Sequence, residues 1–146
     1  MPRGMYLPTE KLWLQGAGPD LLTHTIKAVL IDLADYTPNF ETHDFLDDVP
    51  SAARGGTPQT LGSKTLTVIS TGVVFDAANP VFPAVAGPDS YEAVLLYRDT
   101  GVESTSPLIW LEDQGTGLPV TASGVDITVT FSDGTDKIFR RKLVGT

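Results

Sequence analysis

The chain has 146 residues, 41% of them hydrophobic and 19% charged, the size and balance of one soluble domain that can bury a core without disulfides or a structural metal. Cysteine is absent, which excludes disulfides, zinc ribbons, iron–sulfur clusters and thiol catalysis together. Ten Lys and Arg against eighteen Asp and Glu give a formal net charge of -8, which opposes binding to a phosphate backbone; no apolar run is long enough to span a bilayer or to form a signal-peptide core. Neither nucleic acid nor a membrane is therefore an expected partner.

Thr, Val and Ile together supply 37 residues, about a quarter of the chain, and Gly and Pro punctuate it at short intervals, a composition that predicts an all-β fold. Residues 1–22 read as an N-terminal arm carrying a short helix: Thr9 offers an N-cap before Glu10-Lys11-Leu12-Trp13-Leu14-Gln15, and Gly16 offers a stop. Residues 23–146 read as one antiparallel β-sandwich, with a jelly roll as one possible strand order. Its predicted strands are Thr25 to Leu33, Lys64 to Ser70, Val73 to Phe75 running on towards Val85, Tyr91 to Tyr97, Leu108 to Glu112, Asp126 to Phe131 and Lys137 to Leu143.

Between these strands, Glu41 to Asp48 predicts a second helical turn ended by Pro50, and Ser51 to Ser63 (SAARGGTPQTLGS) predicts a long exposed loop or an arm. The runs AVLI, VLLY and LIWL are apolar on both faces, as in strands covered on both sides by a second sheet and a helix, or by a neighbouring subunit. Ile127, Val129 and Phe131 alternate with threonines before Asp133-Gly134, which predicts a C-terminal β-hairpin of open register.

Chemistry-bearing patterns are sparse. Only His24 and His43 are available as imidazole bases and neither lies in a nucleophile motif, so no catalytic residue is assigned and the chain reads as a non-enzyme without a cofactor. The weak metal candidates are His43, Asp44, Asp47 and Asp48; their spacing matches no defined site, and a solvated acidic turn is the better reading. Gly62-Ser63-Lys64-Thr65 resembles the end of a phosphate-binding loop but lacks the earlier glycine, since position 57 is Thr.

Charge is segregated along the chain. No cation lies between Lys27 and Arg54, whereas Lys137, Arg140, Arg141 and Lys142 crowd the final ten residues. Such a cationic strand suits contact with another protein or another copy of the chain, and equally suits an edge that deters aggregation. Trp13 and Trp110 are candidate sugar-stacking faces; Trp110 reads better as core and Trp13 as a docking residue.

Several strings in order, among them Ile26-Lys27-Ala28-Val29-Leu30-Ile31-Asp32, His43-Asp44-Phe45-Leu46-Asp47-Asp48-Val49-Pro50, Gly72-Val73-Val74-Phe75-Asp76, Glu92-Ala93-Val94-Leu95-Leu96-Tyr97-Arg98-Asp99-Thr100-Gly101 and Asp126-Ile127-Thr128-Val129-Thr130, resemble a family of small structural proteins of tailed bacteriophages over roughly residues 24–140. The resemblance implies a virion protein on the capsid exterior, made in the host cytoplasm. Within a particle, a small acidic β-domain fits a decoration or cement protein that bridges major capsid protein subunits and associates as a homodimer or homotrimer. The expected contacts are Tyr6, Leu12, Trp13, Arg54, Arg140, Arg141 and Lys142, with the Ser51 to Ser63 loop. A tail or baseplate component and a glycan-binding β-sandwich module are the alternatives.

Overall fold

A computed structural model describes residues 3–142. The strands are β1 (Gly4–Met5), β2 (Ile26–Ile31), β3 (Arg54–Thr60), β4 (Thr65–Ile69), β5 (Gly72–Asp76), β6 (Val81–Val85), β7 (Ser90–Tyr91), β8 (Ala93–Arg98), β9 (Leu108–Glu112), β10 (Val120–Thr121), β11 (Val125–Thr128) and β12 (Phe139–Lys142). One α-helix, α1 (Leu7–Leu14), and three single 3-10 turns accompany them. Every strand pairing is antiparallel, so the fold is all-β as the composition requires.

The largest sheet has the order β1-β9-β8-β2-β3, and alternation along its central strands divides the interior in two. Ile26, Ala28 and Leu30 of β2 and Val94 and Leu96 of β8 face one cluster, which is completed by Phe75, Phe82, Val85, Ile127, Ile138 and Phe139 from the smaller sheets. Val29, Ile31, Ala93, Leu95 and Tyr97 face the other way. There they meet Tyr6, Tyr36, Leu46, Val49 and Ala53, so an irregular segment between β2 and β3 roofs the second face. This double cover explains why those runs are apolar on both faces.

The smaller sheets have the orders β12-β5-β4, β11-β6 and β10-β7. The expected C-terminal hairpin does not form: β11 pairs with β6 and β12 with β5. The turn between them is centred on Thr135 and Asp136, just after Asp133-Gly134, with the Lys137 N–H donating to the Gly134 carbonyl at 3.2 Å, but both flanking segments have better use elsewhere. The N–H groups of Val129 and Phe131 donate to the Pro80 carbonyl (3.2 Å) and to Asn79 Oδ1 (2.9 Å), while Ile138 N–H donates to the Phe75 carbonyl (3.2 Å). Each segment thereby covers a different part of the core, and burial of Ile127, Val129, Phe131, Ile138 and Phe139 outweighs local turn chemistry.

Two further expectations are corrected. Ser51 to Ser63 is not a loop: a 3-10 turn at Ser51–Ala53 leads into β3, which forms the edge of the large sheet beside β2. Its Gly and Pro residues suit that place. A Cβ on Gly55 would stand 2.1 Å from the Tyr91 ring, and Pro58 is tolerated because an edge strand has one row of backbone groups without a ladder partner. Helix α1 begins at Leu7, ahead of the expected Thr9 cap; Pro8 sits in the first turn where no intrahelical N–H is needed, and Thr9 is buried with its hydroxyl donating to the Leu108 carbonyl.

Candidate functional site

Helix α1 and strand β12 are far apart in the chain, yet they form one surface. The Trp13 indole lies 6.5 Å from the Phe139 ring, which stands 5.3 Å from Trp110 and 5.4 Å from Phe75. Trp13 is held in place by its Nε1–H, which donates to the Pro19 carbonyl at 2.8 Å. Gly18 makes room for it, since a Cβ there would stand 1.9 Å from Trp13 Cδ1. Gly16, with φ at +75°, releases the chain from the helix in a conformation that glycine adopts without strain.

A cleft of about 290 Å³ opens beside this row, walled mainly by Trp13, Leu21, Leu66, Val73, Phe139 and Arg141. Of its walls, Leu66 is 43% exposed and Val73 38%, so the apolar surface continues out of the cleft. A second recess of about 340 Å³ lies across Phe139, between Met5, Leu7 and Trp110 on one side and Arg140 and Lys142 on the other.

The cations of β12 are partly spent within the chain. Arg141 pairs with Glu10 of α1, which ties the helix to the strand, and Arg140 Nε lies 2.8 Å from Asp136 Oδ1. Lys142 is exposed and makes no ion pair among the described residues. Arg3 stands over the Trp110 ring, 5.3 Å from its centroid, while its guanidinium donates twice to the buried Glu112 carboxylate, at 2.6 and 3.1 Å. This contact raises the Arg3 pKa further.

The cleft's one carboxylate, Asp20, accepts from the N–H groups of Leu22 and Thr23, and bonds from Thr23 and Leu22 hold its pKa below the usual range. His24 Nδ1 accepts the Asp20 N–H at 2.8 Å, so its imidazole closes a turn. The cleft therefore offers apolar packing framed by charge, and no acid–base pair is aimed into it.

Of the contacts expected from the sequence, Leu12, Trp13, Arg140, Arg141 and Lys142 belong to α1 and β12, and the structure brings those two elements together. Tyr6 is a correction: it is completely buried, tilted against Phe40 at 5.0 Å, and its hydroxyl lies 3.0 Å from that of Tyr36. Its environment pushes the phenol far above its ordinary pKa, by burial first and then by Tyr36. Arg54 lies elsewhere and braces the roof of the second core, donating to the carbonyls of Val49 (2.6 Å) and Leu46 (3.1 Å) and pairing with Glu103 at 2.6 Å.

The weak metal candidates serve the same segment. His43 Nδ1 faces the Tyr36 hydroxyl at 2.9 Å and the Asn39 N–H at 3.1 Å, and its ring stacks on Tyr36. Asp48 Oδ2 accepts the Asp44 N–H at 2.8 Å; burial and the adjoining Asp48 raise the Asp44 carboxyl, while for Asp48 burial is outweighed by the bonds it accepts and its pKa falls. Asp47 is exposed. Among the described residues, no group of three or more His, Asp and Glu side chains is arranged to hold a metal ion.

Leu66, Val73, Phe139 and Gly18 complete the surface and carry no strong signal of their own. Leu66 sits in an alternating strand whose outward face is apolar, the one hint available from the sequence. No protein-family model matches the chain, and no curated protein matches it in sequence.

Proposed function

We propose that the chain is a non-enzymatic structural protein of a bacteriophage particle, a decoration protein that seats on the assembled head and bridges neighbouring major capsid protein subunits. The large sheet and the smaller sheets would serve as the two layers of a β-sandwich, a rigid platform for docking. The observation that carries the reading is the apolar cleft between α1 and β12, where Trp13, Leu21, Leu66, Val73 and Phe139 lie with Arg141 on a chain of net charge -8. The viral setting comes from the resemblance of the strand sequences to small phage structural proteins.

A half-buried indole beside an apolar cleft is the kind of anchor that dominates interface energies, and exposed cations of the same two elements, Lys11 and Lys142, steer the approach of an acidic partner. Each copy contributes modest affinity, and engagement of several capsomers multiplies it. Charge segregation gives the docked copy an orientation, with the acidic segment between Lys27 and Arg54 directed away from an acidic shell.

The reading is tested by quantitative mass spectrometry of purified particles, together with binding of Trp13→Ala protein to heads that lack the chain. Copy numbers approaching that of the major capsid protein, and loss of binding in the variant, are expected. A handful of copies per particle would move the protein to the tail or baseplate, and absence from particles would end the viral reading.

A further inference from the structure

We propose that strand β4 is a self-association edge, at which two copies pair β4 against β4 antiparallel about a two-fold axis and join their β12-β5-β4 sheets into one continuous sheet. This pairing needs nothing from the particle and stands apart from the docking reading.

Strand β4 (TLTVI) is bonded to β5 on one side only, which leaves the backbone groups of its other side without a strand partner among the described residues. It pairs with β5 through five consecutive registers, Thr65↔Asp76 to Ile69↔Gly72, with no bulge to turn it away. It contains no charge and no proline. The other edges of the larger sheets are guarded. Strand β3 holds Arg54, Pro58 and a register shift, β1 is two residues long, and β12 carries Arg140, Arg141 and Lys142.

Charge selects between the two edges of the small sheet. A β12-to-β12 pairing would bring three cations of one copy onto three of the other, whereas β4 self-pairing is uncharged and leaves the two β12 strands at opposite margins. Side chains agree. A two-fold axis through Thr67 sets Leu66 of one copy opposite Val68 of the other on one face, and on the other face Thr67 opposite Thr67 and Thr65 opposite Ile69, so the apolar pairs gather on the first face. Val68, 81% exposed in the single chain, gains cover by this pairing, and Leu66 and Val73 extend the same apolar strip.

A two-fold axis normal to a sheet keeps each face on its own side. The Leu66 faces of both copies, and hence both Trp13 clefts, would therefore open in the same direction. On the docking reading above, that is the arrangement a bridging protein needs.

The test uses the purified chain in sedimentation velocity across a concentration series. The expected result is a concentration-dependent dimer, which Val68→Lys weakens by at least about tenfold in Kd while leaving the circular dichroism spectrum unchanged. Because the chain has no cysteine, Thr67→Cys supplies a single thiol per copy. Directly opposed residues of antiparallel strands stand about 4.5–5.5 Å apart at Cα, within disulfide reach, so Thr67→Cys should cross-link on mild oxidation and Val102→Cys, exposed in a remote loop, should not. A chain that stays monomeric, a dimer indifferent to Val68→Lys, or equal cross-linking of the two cysteine variants would overturn the proposal. Each of these would leave head binding by Trp13 to be judged separately.

Discussion

Truncating Tyr6 measures how far the first residues belong to the fold. Tyr6 has no exposed surface, packs on Phe40 at 5.0 Å and shares a hydroxyl contact of 3.0 Å with Tyr36, which in turn reaches His43 at 2.9 Å. Tyr6→Ala removes a complete buried ring and leaves a cavity, at a cost of about 4 kcal/mol. Tyr6→Phe keeps the ring and removes one buried hydrogen bond, at about 1 kcal/mol. An unfolding entropy of about 2.1 cal/mol/K per residue gives roughly 0.3 kcal/mol/K for a chain of this length. The corresponding falls in Tm are about 13 °C for Tyr6→Ala and about 3 °C for Tyr6→Phe. Differential scanning calorimetry reads both, and urea titration checks that the m-value is unchanged. A Tyr6→Ala shift no larger than that of Tyr6→Phe would refute the reasoning, because the segment would then behave as an arm and not as core.

Three further outcomes are expected. Arg54→Ala removes the bonds to Val49 and Leu46 and the pair with Glu103; it should lower stability by about 2 kcal/mol in urea titration yet leave partner binding intact, separating a brace from a contact residue. Gly18→Ala forces a Cβ into the space of the Trp13 indole, so Trp13 should swing outward: fluorescence emission should shift to the red, with a loss of about 1–3 kcal/mol from overpacking. Asp113 is buried and neither carboxylate oxygen has a hydrogen-bond partner among the described residues, and burial, then the charge of Glu112, raises its pKa. A raised folded-state pKa means the native chain holds the proton more tightly, so this group lowers stability as pH rises from the unfolded value of about 3.9 through the folded one. Asp113→Asn should therefore raise Tm near neutral pH, with the gain shrinking as pH falls below that window; an equal gain at every pH would show that charge is not the cause.

The strands of the interior were readable because their chemistry is insistent. IKAVLI, AVLLYR and LIWLE are too apolar for any surface, and their boundaries in the structure lie close to those expected. The strand expected over Lys64 to Ser70 likewise matches β4. What misled was local turn and loop chemistry. The chain does turn just after Asp133-Gly134, at Thr135 and Asp136, but a turn does not choose partners, and the pairing of β11 and β12 was decided by segments as distant as Val81–Val85 and Gly72–Asp76. Small residues made SAARGGTPQT look like a loop, although an edge strand tolerates the same composition. The surface itself depends on Trp13 meeting Phe139, a contact that no periodicity encodes. Tyr6 and Arg54 show the converse, because an isolated aromatic and an isolated cation read as surface groups until their buried partners are known.

The order β1-β9-β8-β2-β3 also bears on how the molecule comes to exist. The earliest strand, β1, is bonded to β9 through Gly4↔Leu111 and Met5↔Trp110, and β5 finds β12 only near the end of the described residues. Such distant pairings must close long loops before any burial rewards them. A nascent chain would therefore carry β2, apolar on both faces, with the roof segment that follows it but without its sheet partner β8 until most of the described residues have been made. Folding should then be a late and nearly all-or-none event in synthesis, and ribosome-stalled fragments ending before β9 should remain protease-sensitive.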